Sequence, residues 1–263
     1  MSHKAVPVSL TAAEYIRSIL GIIVFFLMLL LFTPFIFLLL IISLGRLSSF
    51  VVESIAPLIV KPVFWTAGIR FRIEKRTDPI PCPAVFIINH SSSLDILTIL
   101  ALGLPRVRFV AKWQLQYNPI FFLLGHLTGQ VFIRREKSEK AVATLKKNVS
   151  RLKRKNLSVM LAPEGSRKHP GIIGPFKKGP FRMAMDLGYP IVPVYFDGNR
   201  ELSSGGFLFT KSGSVTATIH PPVSTDDWTL ENIDQHIADI RQRYLEWAGI
   251  SSEEENLQMS TQT

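Results

Sequence analysis

Two residues have types and a separation suited to proton transfer: His90 and Asp95, in the stretch Asn89-His90-Ser91-Ser92-Ser93-Leu94-Asp95. Imidazole titrates near neutrality, and a carboxylate beside it fixes its tautomer and supports its protonated form. Such a pair can act as a general base toward a hydroxyl, and no serine nucleophile is needed. The offset of five restricts the backbone that brings them together. On a helix the two side chains would stand about 140° apart. On a strand they would face opposite sides. A turn entering a helix permits contact, with His90 in the loop, Asp95 in the first helical turn, and Ser91 or Ser92 as the cap. The competing account is a capped helix with an incidental histidine and an aspartate favoured there by the helix dipole.

The flanking sequence supplies that turn. Ala84-Val85-Phe86-Ile87-Ile88 is short, apolar and β-branched, and reads as a buried strand. Ile96 to Leu102 reads as a helix stopped by Gly103 and Pro105. Further along, strands are expected at 84–89, 107–111, 130–133, 157–161, 191–196 and 213–220, and helices at 94–102, 118–126, 138–155, 178–187 and 229–248. The alternation predicts an α/β fold with a mostly parallel or mixed sheet flanked by helices. Tyr189-Pro190-Ile191-Val192-Pro193-Val194 carries two prolines, which predicts an edge or irregular strand.

Ile19 to Leu44 has no charged residue. As one helix it would extend about 39 Å, enough to cross a hydrocarbon core with tilt. Thr33-Pro34 interrupts it, so two forms are open: a single kinked span, or a helical hairpin with Ser48–Trp65 in its second arm. Basic residues accumulate after Leu44, which predicts that the following domain is cytoplasmic, on the inner membrane in a bacterium. The expected division is an N-terminal segment 1–18, a membrane-anchoring helix or hairpin 19–65, a domain 66–250 with its motifs in 84–200, and a polar tail 251–263.

The 263 residues carry a formal charge of +10 and a pI near 9.9, which favours anionic partners such as a membrane surface or a phosphorylated substrate. No nucleic-acid-binding motif accompanies that charge, so no nucleic-acid partner is expected. One cysteine excludes a disulfide framework, and no metal-ligand spacing is present, so no metal is expected. The stripe Val142, Leu145, Val149 and Leu152 backs a basic face with Lys147, Arg151 and Arg154, suited to solvent or to anionic lipid.

Three other stretches offer ligand groups at strand ends. Lys112 follows one strand; Gly129-Gln130-Val131-Phe132-Ile133-Arg134-Arg135 contains another; Ala162-Pro163-Glu164-Gly165-Ser166-Arg167 closes a third. Arginine forks and lysine point charges suit phosphate, and Gly165 lets the backbone turn and a ligand approach.

Together these stretches resemble the glycerolipid acyltransferase family, best known for 1-acylglycerol-3-phosphate acyltransferases. Its four blocks read N-H-x-S-x-x-D, G-x-[IV]-F-[IV]-x-R, F-P-E-G-T-R and V-P-[IV]-x-P. Here they stand as NHSSSLD at 89–95, GQVFIRR at 129–135, APEGSR at 162–167 and YPIVPV at 189–194. Ala162 replaces the usual Phe, and Ser166 replaces Thr but keeps a hydroxyl. The resemblance implies acyl transfer from acyl-CoA or acyl-carrier protein, as co-substrate, to lysophosphatidic acid in the bilayer, with no cofactor. It implies His90 as base, Asp95 as its orienting partner, Arg135, Arg167 and Lys112 on the acceptor phosphate, and Glu164, Gly165 and Ser166 shaping the acceptor site. Other acceptors on the same scaffold are glycerol 3-phosphate, another lysophospholipid or an acylated amino acid. A non-catalytic membrane scaffold is a more remote reading.

Overall fold

A computed structural model describes residues 9–133, 139–165, 173–203 and 209–250. Its strands are β1 (Ile69–Lys75), β2 (Val85–Ile88), β3 (Val107–Lys112), β4 (Val131–Ile133), β5 (Ser158–Leu161), β6 (Ile191–Asp197) and β7 (Gly213–Ile219), in one sheet of order β1-β7-β6-β2-β5-β3-β4. All neighbours run parallel except β6 and β7. The expected mixed α/β sheet is therefore present, with all six expected strands and an additional one. That strand, β1, alternates Ile69, Phe71 and Ile73 with Arg70, Arg72 and Glu74, and its charges suit the sheet edge it occupies.

The sheet is buried on both sides, so its central strand is apolar throughout. Val85 and Ile87 of β2 point into one layer with Leu152 of α6 (Glu139–Arg154), Phe181 and Leu187 of α7 (Lys178–Leu187), and Ile237 of α9 (Ile233–Trp247). Phe86 and Ile88 point the other way. On that side Leu97 and Ala101 of α4 (Asp95–Ala101) pack against Val60, Val63 and Phe64 of α3 (Ala56–Thr66).

β6 lies inside the sheet, between β7 and β2, contrary to the edge position its prolines predicted. Pairing with β7 covers only Val194–Asp197. Pro193 sits just beyond it, and its carbonyl accepts from His220 N–H at 2.9 Å. The missing proline N–H therefore falls at the end of the regular pairing with β7, opposite His220, where one missing donor does not break a continuous ladder.

Apolar residues near the N-terminus form a helical hairpin. α1 (Ala12–Ile42) starts in a capping box between Thr11 and Glu14 and runs unbroken through Pro34. The chain reverses ten residues after that proline, at Leu44 and Gly45, both with positive φ. It returns as α2 (Ser48–Phe50), a π-turn at Val51–Ile55, and α3. Ile36 and Leu40 pack against Val51, Ile55 and Ile59, on both sides of the reversal, which holds α1 straight where the proline would break it. Near its start, Ser18 exchanges hydrogen bonds with the Thr210 backbone and Arg17 Nη1 donates to Ser212 Oγ. Near its end α1 packs against Leu124 and Leu127 of α5 (Pro119–Leu127). The helix thus lies along the domain and is attached at both ends. Its outer face exposes Phe26, Leu30 and Ile42, among others.

Tyr244 of α9 sets the spacing between β2 and β6. Its hydroxyl donates to Ile87 C=O at 2.7 Å and accepts from Val194 N–H at 3.1 Å. It is fully buried, and burial pushes its phenol well above the usual value. Tyr244→Phe would leave Val194 N–H without this acceptor, and the expected loss is about 1–3 kcal/mol of unfolding free energy, checked by denaturant titration.

Candidate active site

Strands β6, β2, β5, β3 and β4 run in one direction, so their C-terminal ends share a rim, where open α/β sheets bind ligands. Asn89, His90, Glu164, Gly165 and Lys112 all follow or end these strands at that rim. Asn89 makes the exit from β2. Its side-chain amide donates to Phe196 C=O at 2.9 Å and accepts from Phe196 N–H at 2.7 Å. A side chain thus replaces the next backbone pair, and the main chain is released to carry His90 out of the sheet.

His90 Nδ1 meets Asp95 Oδ2 at 2.8 Å. The spacing argument holds: His90 is in the loop and Asp95 opens α4. The expected serine cap does not form. Instead Asp95 reaches back, and Oδ2 also accepts from Ser91 N–H at 2.8 Å and Ser92 N–H at 3.0 Å. Ser92 Oγ accepts from Leu94 N–H at 3.1 Å, tightening the turn. Oδ1 accepts from Asn199 Nδ2 at 2.7 Å, and Asn199 Oδ1 accepts from Thr98 Oγ1 at 3.1 Å. Asp95 and Asn199 are both wholly buried. A carboxylate is an acceptor only, so the proton between the pair sits on Nδ1 and the neutral ring presents its lone pair on Nε2. The imidazole retains about one-fifth exposure (21%), which leaves that edge approachable.

Glu164 ties a second block to the first. Oε1 accepts from His90 N–H at 2.7 Å and Oε2 from Gly174 N–H at 2.9 Å. Burial pushes its carboxyl above the usual range, against the lowering effect of those two backbone donors. Both oxygens are occupied by main-chain groups, so Glu164 positions the histidine loop and the segment before α7. Gly165 has φ +69°, and a Cβ there would come within 3.0 Å of Lys177 Nζ. Lys177 therefore lies over the Pro163–Gly165 turn, and its N–H donates to Pro163 C=O at 2.9 Å.

Among the expected site residues, the structure brings together His90, Asp95, Glu164 and Gly165. Lys112 is exposed at the end of β3 on the same rim. Arg135, Ser166 and Arg167 lie outside the described residues. Sequence reasoning missed Asn199, Gly174 and Lys177. Asn199 follows Asp197-Gly198 at the end of β6, and that position was its one available signal. Gly198 has φ +86°, and a Cβ there would collide with the Ser214 carbonyl oxygen, so the glycine permits the turn that delivers Asn199 to Asp95.

The sequence model of the acyltransferase family matches residues 71–197, which contain the dyad, the Glu164 turn and the strands that hold them. Over those residues the chain is similar to that family. It is 31% identical over 183 residues to a 1-acyl-sn-glycerol-3-phosphate acyltransferase of Limnanthes douglasii, covering 70% of this chain and 65% of that one. A protein of the same name from Haemophilus influenzae is 32% identical over 150 residues, 57% of this chain and 62% of its own. The human 1-acyl-sn-glycerol-3-phosphate acyltransferase beta is 31% identical over 167 residues, 63% and 60% of the two chains. The match thus spans less than two thirds of these relatives. The family's fold is seen in the crystal structure of the 1-acyl-sn-glycerophosphate (LPA) acyltransferase PlsC from Thermotoga maritima, with a TM-score of 0.68 and 21% identity over 89% of this chain and 97% of that one.

Glu164→Gln separates the two effects acting on Glu164. The substitution removes a buried charge but turns an NH2 group toward a backbone donor, so at acid pH the variant should be less stable than wild type by about 1–3 kcal/mol. A carboxyl whose folded pKa is raised stabilises the fold below the unfolded value of 4.5 and loses that contribution as pH rises through the folded value. The stability gap should therefore narrow as pH climbs from 4.5. Chemical unfolding of both proteins across that range tests the sign.

Proposed function

We propose that this protein transfers a fatty acyl group from acyl-CoA or acyl-carrier protein to the free hydroxyl of lysophosphatidic acid, forming phosphatidic acid. The observation that carries the reading is the His90–Asp95 contact at the strand rim, within a domain whose relatives bear the corresponding enzyme name. In this mechanism His90 Nε2 takes the hydroxyl proton as the acceptor oxygen attacks the thioester carbonyl. The ester C–O bond forms, the C–S bond breaks, and the imidazolium returns the proton to the departing thiolate. Asp95 stabilises that imidazolium, with its own charge held by three backbone and amide donors besides the ring. Neither a covalent acyl-enzyme nor a cofactor is required.

Lys112, Arg135 and Arg167 are assigned to the acceptor phosphate, Arg by bidentate contacts. Ser166 is assigned a hydroxyl contact with the acceptor, and Gly165 admits the ligand close to the backbone. Glu164 acts through position rather than through contact with substrate.

The hairpin supports a bilayer-seated protein whose chain does not cross. An α1 attached to the domain at both ends cannot leave it to span alone, and its exposed apolar face suits insertion along one leaflet. The N-terminus and the catalytic domain then share the cytoplasmic side.

Purified full-length protein incubated with labelled acyl-CoA and lysophosphatidic acid should yield labelled phosphatidic acid. His90→Ala should lower turnover by about 10²–10⁴-fold with folding intact, and Asp95→Asn should also be severe. Near-normal turnover in either purified variant contradicts the mechanism. For topology, Ser2→Cys in a chain with Cys82 replaced should resist a membrane-impermeant thiol reagent added to sealed cells. Labelling from outside would instead place the N-terminus across the membrane.

A further inference from the structure

Two arginines meet at the opposite end of the sheet from the dyad. Arg108, near the start of β3, is 3% exposed. Its Nη1 donates to Val107 C=O at 2.8 Å, and Nη2 donates to Ser48 Oγ at 2.9 Å and Ser49 Oγ at 3.3 Å. Its Nε is buried and has no hydrogen-bond partner. Arg151, expected on a solvated or lipid-facing side of α6, instead turns inward and donates from Nη2 to Gly129 C=O at 3.0 Å and Gln130 C=O at 3.5 Å. Its Nε is also buried without a partner. Among the described residues neither arginine forms a salt bridge.

Both guanidiniums pack beside Gly129. A Cβ at Gly129 would lie 3.6 Å from Arg108 Nε and 3.8 Å from Arg151 Nη1. Burial, and then the charge of Arg151, pull Arg108 down to about 10 against the opposing effect of the Glu53 carboxylate, so it remains protonated at neutral pH. Two cations held together in a water-poor place repel each other, and each leaves a donor unmet. An oxyanion supplies the missing charge and several lone pairs in the geometry a guanidinium prefers.

We propose that Arg108 and Arg151 form a phosphate-type oxyanion site over Gly129, separate from the catalytic rim. Lys112 and Ile133 close the far ends of β3 and β4, and Lys112 stands four positions beyond Arg108, about 13 Å of extended chain. The site takes either a free phosphate or the phosphodiester of a lipid headgroup. Ser48 and Ser49 begin the hairpin's returning arm, next to the exposed apolar residues Leu44, Leu47 and Phe50. That location sets the arginines beside a surface suited to lipid.

The test uses the purified full chain in a sugar-headgroup detergent, which brings no phosphate. Thermal unfolding is followed against inorganic phosphate in one arm and against a short-chain phosphatidylglycerol in the other, at constant ionic strength balanced with chloride. The expected result is saturable stabilisation of wild type in at least one arm. The apparent Kd should weaken about tenfold or more in Arg151→Gln, since a charged hydrogen-bonding partner is lost. Arg151→Lys, which keeps a charge but loses the guanidinium fork, should weaken it as well and serves if Arg151→Gln does not fold. Stabilisation by phosphate alone identifies a free oxyanion as the ligand, and stabilisation by the lipid alone identifies a headgroup. No saturable stabilisation in either arm, or the same Kd in wild type and both variants, overturns the proposal.

Discussion

The arrangement of this protein depends on one buried carboxylate. Asp95 has no solvent exposure and meets four donors: the His90 ring, two backbone N–H groups and the Asn199 amide. A buried carboxylate is tolerable only when its lone pairs are answered, and each answering group is thereby fixed. The turn after β2, the first turn of α4 and the loop after β6 are held by this single group. Glu164 repeats the device one strand over, with main-chain donors on both oxygens. The histidine is consequently held from two sides, by its ring and by its own N–H, and only its outer edge is left for chemistry.

Much of this was readable from residue types. The apolar run at 84–88, the proline and glycine punctuation, and the five-residue offset of His90 and Asp95 are local features, and local rules apply to them. The contact between the pair followed from excluding helix and strand. β1 escaped because Arg70, Arg72 and Glu74 interrupt its apolar residues, although Ile69, Phe71 and Ile73 share a face. The interior place of β6 escaped because a proline's missing donor matters only if a neighbour strand is there to receive it. Pro193 lies just outside the regularly paired residues Val194–Asp197, and a sequence cannot report where that pairing stops. Asn199 and the inward turn of Arg151 were illegible for the same reason: their partners lie far away in the chain.

The hairpin illustrates how packing overrides a local rule. Pro34 removes one helical hydrogen bond, yet the helix continues, since Ile36 and Leu40 beyond it are committed to the returning arm. Gly21 contributes at the other end, where a Cβ would stand 3.5 Å from that of Ala67, so α1 and α3 approach closely there. The reversal falls at Leu44–Gly45, where a positive φ is adopted and the Gly45 N–H reaches Leu40 C=O at 2.7 Å.

The distance along the chain between Asp95 and Asn199, 104 residues, has a bearing on biosynthesis. At translation speeds of roughly 5–20 residues per second, several seconds pass between synthesis of the turn that carries His90 and synthesis of the amide that completes the Asp95 shell. Throughout that interval both arms of the hairpin are already made, while the carboxylate still lacks one of its donors. A chain arrested before residue 199 would therefore carry His90 without the complete set of groups that orient it. Full orientation of the imidazole thus waits on a contact made across 104 residues, ahead of those that Ser212 and Tyr244 bring later.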